Sequence, residues 1–277
     1  MSKTILYLLS ILALMSSCSN ISEDERLIYV PPANVNRAVL VEDFTGQRCV
    51  WCPNGNDAIS EMEKQYGDTA VIAVAIHSGP LGFKGNAAVA GLATELGDRY
   101  YDRYNVESQP TALINRKALL ARVTDWPARV RAELEGAPEL MLALTASYDS
   151  LTRLATLKTD ILALEQEVSG HLQVWLTEDS IRALQMMPDG SANADYIHNH
   201  VLRAAVNGDW GEPVSVAAHQ TLSRTCSYTL PAEYNAANCR FVVFVYGDDG
   251  VVQAAKVCVA DDKNDNAYEK QASFGRE

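Results

Sequence analysis

Residues 38–44, AVLVEDF, form an apolar run rich in β-branched side chains, which predicts a buried strand. Residues 70–77, AVIAVAIH, predict a second. Between them Ile59, Met62 and Tyr66 share one helical face, with Pro53 suited to a first turn and Gly67 to a stop. Strand, helix and strand at this length predict a βαβ unit with parallel strands. A helical stretch from Ala87 to Tyr104 follows. Next come VESQPTALINR, an extended approach into a strand, and a closing helix over 125–135.

From Gly136-Ala137-Pro138 the period changes. ELMLALTASYD, TRLATLKTDILAL and GHLQVWLTED alternate apolar and polar positions, as half-buried strands do. YIHNHVLRAAV, RTCSYTL, CRFVVFVYG and GVVQAAKVCVA continue the series. Short strands at this spacing predict a β-sandwich of the immunoglobulin or fibronectin kind. The stretch from Ser180 to Asp195, with MMPDGSANAD, reads as a long loop suited to binding. The predicted fold class is therefore α/β plus all-β, with one domain over 37–135 and a sandwich over 137–262. In the last hairpin, a two-residue turn at Gly247-Asp248-Asp249-Gly250 sets Cys239 directly opposite Cys258. That register predicts a Cys239–Cys258 disulfide, with Cys226 left over; a bulge would break it.

The chain ends are different in kind. MSKTILYLLSILALMSSC has one lysine, a short apolar run and small residues before Cys18. The run is too short to span a bilayer and reads as a signal peptide over 1–17. Its last four residues resemble a bacterial lipoprotein box, which implies lipid on Cys18. Residues 18–36 read as a tether, and the acidic SEDE cluster within it resembles the surface-export signal of Bacteroidota lipoproteins. Residues 263–277 read as a polar tail.

Of the 277 residues 48% are hydrophobic, enough to bury real cores, and the net charge is -12. That charge argues against nucleic acid as a partner, because such binding needs a basic face. The membrane is then reached through lipid rather than charge. In an oxidising envelope five cysteines remain besides Cys18, an odd number that leaves at least one thiol unpaired or paired between molecules.

Candidate chemistry sits at DFTGQRCVWCPNG, residues 43–55. Cys49 and Cys52 suit a redox pair, half a zinc site or an inert disulfide. Zinc would need a second ligand pair, and no second C-x-x-C exists. His198 and His200 would lie on one face of a strand, a metal half-site without an evident third ligand. No metal and no cofactor is predicted. At a helix N-terminus, with Arg48 nearby, Cys49 would be held toward the thiolate, the attacking species.

Residues 39–53, VLVEDFTGQRCVWCP, resemble the thioredoxin active-site segment, and SQPT at 108–111 resembles its cis-proline turn. The resemblance implies a thioredoxin-like fold over about 37–135. It implies that Cys49 attacks a substrate disulfide and Cys52 resolves the mixed disulfide. Asp43 would relay a proton to Cys52, and Pro110 would shape the substrate groove together with Arg48, Trp51, Gln109 and Thr111. The dipeptide Val50-Trp51 and the missing lysine partner for Asp43 depart from the family pattern. A thioredoxin scaffold reused for binding, with a structural Cys49–Cys52 disulfide, is the other reading.

Taken together, the leader, T-G-x-x-C-x-x-C-P and HNHVLRAAV resemble a Bacteroidota family of outer-membrane lipoproteins related to an immunoreactive 28 kDa outer membrane protein. The resemblance implies an outer-membrane lipoprotein, on either leaflet face, that acts on a protein substrate by thiol–disulfide exchange or binds a surface ligand as an adhesin.

Overall fold

The computed structural model describes residues 36–260. The leader, Cys18, the tether before residue 36 and the polar tail lie outside the described residues.

Strands β1 (Val39–Thr45) and β2 (Val71–His77) are buried along their whole length and pair in parallel, Val39 opposite Val71. A strand buried on both faces must be apolar throughout, as these sequences are. Helix α1 (Cys52–Tyr66) makes the crossover, with Pro53 in its first turn and Gly67 at its end. Helix α2 (Glu95–Arg103) follows, then β3 (Thr111–Ile114), which runs antiparallel to β1, then β4 (Leu119–Leu120) and helix α3 (Trp126–Leu134). The order β2-β1-β3-β4 is the expected thioredoxin-like arrangement. Ile59, Met62, Trp126 and Val130 from α1 and α3 pack on Val39, Val41, Val71 and Ala73.

The helix expected over Ala87 to Tyr104 is shorter. Residues 79–94 form an irregular loop, and α2 begins only where Thr94 caps it, its hydroxyl accepting from the Gly97 N–H. Gly91 lies in the missing part, where the loop backbone folds so closely on itself that a Cβ would stand 2.0 Å from the Gly85 nitrogen.

Strands β5 (Leu140–Asp149), β6 (Leu154–Ala163) and β12 (Thr221–Thr229) form a three-stranded antiparallel sheet. Its buried face, with Leu157 and Ile161, closes on Leu172, Val174, Phe241 and Val243. These belong to β7 (Val168–Glu178) and β13 (Cys239–Gly247), which continue with β14 (Gly250–Cys258) and β10 (Val201–Ala205) in one sheet. β11 (Glu212–Val216) pairs with β7 at the margin. β10 then pairs in parallel with β2, Val201 opposite Ala75, so a single nine-stranded sheet runs through both halves of the sequence. The architecture is mixed α/β and mostly strand.

Three expectations are corrected here. Ser180 to Asp195 is not a loop: β8 (Ile181–Met186) and β9 (Ala192–His198) form a hairpin. The Cys239–Cys258 disulfide is absent, and both thiols are free. Near the turn the pairing is as expected, Gly247 opposite Gly250. A bulge after Val245 then shifts the register by one, setting Arg240 opposite Cys258. His198 and His200 do not share a face. His198 is buried at the end of β9, while His200 turns out at positive φ toward Glu63 and Asp179.

Candidate functional site

Asp43 lies near the end of β1, with 2% of its surface exposed. The chain leaves β1 through Gly46, where a Cβ would stand 2.3 Å from the Leu81 carbonyl oxygen; only glycine fits that approach. The turn delivers Cys49 and Cys52 to the N-terminal end of α1, where they form a disulfide with an S–S distance of 2.08 Å. The Gln109–Pro110 peptide is cis, and Pro110 packs with Trp126 against Gly55 in the first turn of α1.

The groove residues divide. Trp51 is exposed. Arg48 lies over the Phe83 ring, 4.9 Å from its centroid, at the edge of an open pocket of about 300 Å³. Gln109 instead spends its amide on the Thr45 and Ser78 carbonyls, at 2.7 and 3.0 Å, and Thr111 is buried. These two hold the turn rather than line an open groove.

Sequence reasoning missed what covers the cysteines. The β8–β9 hairpin lies against the turn that carries them. Gln185 donates from Nε2 to the carbonyls of Cys49 and Gly46, at 2.9 and 3.3 Å. Met186 N–H donates to the Gln47 carbonyl at 2.9 Å, and Gln47 Nε2 donates back to Leu184 at 3.0 Å. Asn56 of α1 donates to the Tyr196 hydroxyl. Cys49 and Cys52 are only 2% and 3% exposed. The alternation in IRALQM and ANADYIH was the signal for this hairpin, masked by MPDGS between them.

Under the hairpin is a cavity of about 20 Å³, lined by Asp43, Cys52, His77, Tyr196 and His198 among others. Burial without a charge partner pushes the Asp43 carboxyl up to about 8. Burial pushes the His198 imidazole down to about 4, and burial, then His198 and Arg203, hold His77 well below its usual value. At neutral pH all three groups are predominantly uncharged. Among the described residues no group of three or more His, Cys, Asp or Glu is placed to hold a metal ion.

A family model described as "Outer membrane protein Omp28" matches residues 97–263. The chain belongs to that family. Omp28 membership associates it with the outer membrane. The matched span includes Pro110, the hairpin and His198, and begins after the cysteine pair. Among solved structures, HBP35 of Porphyromonas gingivalis is similar at 14% identity and a TM-score of 0.63, covering 84% of this chain and 79% of that one. A protein of Agrobacterium tumefaciens is similar at 16% identity and a TM-score of 0.50, over 84% of this chain and 99% of that one. A domain of the outer membrane lipoprotein Omp28 from P. gingivalis is 23% identical over 45% of this chain and 91% of that one, with a TM-score of 0.32. At these identities the first two likenesses speak for the fold alone. No curated protein matches the chain. No described helix is long and apolar enough to cross a membrane.

Proposed function

We propose that this chain is an outer-membrane lipoprotein, held by lipid on Cys18, that exchanges disulfides with envelope or secreted proteins through Cys49 and Cys52. Asp43 carries the reading. A buried carboxyl without a partner costs stability, and a purely structural disulfide has no use for one. Beside Cys52 it has a use. A substrate thiolate attacks Cys49 Sγ, the Cys49–Cys52 bond breaks, and Cys52 leaves as a thiolate that takes the Asp43 proton. A second substrate thiolate then attacks the substrate sulfur of the mixed disulfide and releases Cys49. Two electrons have passed from the substrate dithiol to the pair; the reverse sequence reduces a substrate disulfide. The positive end of the α1 dipole favours the Cys49 thiolate. The hairpin must release the Cys49 carbonyl before attack.

A glutathione titration with mass-spectrometric readout tests this. A midpoint between about -270 and -120 mV matches exchange catalysts, and Cys49→Ser then abolishes insulin reduction. A pair that stays oxidised below about -300 mV is a structural staple. The burial of Cys49, 2% exposed, favours that second reading, a non-catalytic adhesin or interaction protein that binds through its scaffold and its immunoglobulin-like strands.

A further inference from the structure

Three residues that line one small space each carry a buried polar atom with no hydrogen-bond partner in the protein: Asp43 Oδ1, His77 Nδ1 and His198 Nε2. They come from three strands, β1, β2 and β9. Their residues are 2%, 4% and 5% exposed, so bulk solvent does not satisfy them. The two imidazole rings stand edge to face with centroids 5.2 Å apart. The space between these groups and Cys52 is about 20 Å³. A water needs roughly 10–15 Å³ measured this way and two to four polar partners. Both conditions are met. A folded chain seldom leaves three such atoms unpaired.

We propose that one ordered water occupies this cavity and joins Asp43 to the His77–His198 pair, so that the β8–β9 hairpin supplies a positioning residue, His198, that sets the proton affinity behind Cys52. The inference rests on the exchange reading for its use, but not for its existence. While Asp43 is protonated, its carboxyl donates to the water, which donates to one imidazole nitrogen. When the proton passes to Cys52, the water turns one proton to the new carboxylate and keeps the other on His198 Nε2, which accepts because the ring N–H of His198 is turned to the backbone carbonyls of Ala183 and Leu184. The carboxylate is thus never left without a donor, although no cation stands beside it. The other groups facing the cluster are Tyr196 from β9, whose ring is 4.9 Å from that of His198, and Arg203 from β10, which is tied to Glu178 at 2.8 Å. Arg203 acts on His77 through space. Asp57 of α1 lies further out, near Tyr196. None of them reaches the orphaned atoms. Sequence alone gave no sign of the cluster, because His198 is 155 residues from Asp43 and the hairpin that brings it there read as a loop up to Asp195.

The test is the equilibrium of the intact protein with dithiothreitol, measured from pH 5 to pH 10. The wild type should show an inflection near pH 8 from Asp43, and Asp43→Asn should lack it. His198→Leu removes the acceptor that holds the water turned toward the carboxylate, so the inflection should rise by about one unit. His198→Gln keeps an amide that can hold the water and should stay near the wild-type position. An inflection unmoved in His198→Leu overturns the proposal. Should that variant not fold, His77→Gln and a high-resolution crystal structure decide: a dry cavity overturns it as well. Insulin turnover is read in parallel. A wild type without turnover, but with the inflection and its shift, removes the exchange reading and keeps the water-linked cluster.

Discussion

Gln185 and Cys49 are 136 residues apart in sequence, and Gln185 Nε2 donates to the Cys49 carbonyl at 2.9 Å. The same amide reaches Gly46, so one side chain clasps both ends of the turn that presents the cysteines. The hairpin therefore decides whether the disulfide meets a partner. Replacing Gln185 by Ala removes both of these bonds, although each carbonyl keeps a backbone partner, Cys52 N–H on Cys49 and Cys49 N–H on Gly46, so the cover should loosen by roughly 0.5–1.5 kcal/mol per bond. Reduction of Cys49–Cys52 by dithiothreitol should then be about tenfold faster, with mass spectrometry as the readout. An unchanged rate would mean that the hairpin does not limit access.

Asp43 and the two histidines give the stability of the fold a peak in pH. The Asp43 carboxyl sits at about 8 in the folded chain against 3.8 for an ordinary aspartate. Between those values the folded state binds the extra proton, so this group makes stability fall as pH rises. The imidazoles act the other way. With His198 at about 4 against 6.5, and His77 shifted in the same direction, the unfolded chain binds the extra protons below pH 6.5. There the two imidazoles outweigh Asp43, and Glu42, whose carboxyl burial also raises, takes back part of the climb. Stability should climb toward pH 6.5 and then decline to pH 8, by at most about 1.4 kcal/mol per unit. Urea melts across that range should show the decline in the wild type and not in Asp43→Asn. A flat wild-type profile from pH 6.5 to 8 would mean that the carboxyl is ionised.

The site was legible in the sequence where its chemistry is local. Asp43, Cys49, Cys52 and Pro110 sit in or beside β1, α1 and β3, and apolar runs with a proline and a glycine at their ends announce such elements. What escaped came from pairing across the chain. No local rule says that IRALQM folds back over a turn at Gly46, or that β10 joins β2 in one sheet. The Cys239–Cys258 register failed on one residue, because a bulge after Val245 follows from packing rather than from turn chemistry.

That failure makes a prediction about thiols. Cys239 is fully buried, and burial pushes its thiol up to about 12; Cys226 is raised to about 11 for the same reason. Cys258 is half-buried at the end of β14. Alkylation of the native protein should modify Cys258 before Cys239, since Cys239 is out of reach and burial holds it as the thiol. Non-reducing tryptic maps should give the Cys239 and Cys258 peptides separately. A linked peptide would restore the unbulged register.

The last prediction concerns what ties the two halves of the sheet together. Arg116 follows β3 and reaches across to β7 and β13. Its guanidinium is 4.1 Å from the Tyr246 ring centroid, 4.6 Å from Phe244 and 5.3 Å from Trp175. Its Nε meets Glu42 Oε1 of β1 at 3.2 Å, and the Glu42 side chain is wholly buried. Burial raises the Glu42 carboxyl and Arg116 opposes it. Removing one partner strands the other. Arg116→Met should cost about 3–5 kcal/mol in urea melts, whereas Arg116→Met with Glu42→Leu should recover most of that loss, because a well-packed apolar pair can replace a buried ion pair. The aromatic faces set the difference between the two outcomes, since a methionine still packs against them while a lone carboxylate does not. A double variant no more stable than Arg116→Met would show that the cation, held between three rings, is needed for itself and not only to balance Glu42.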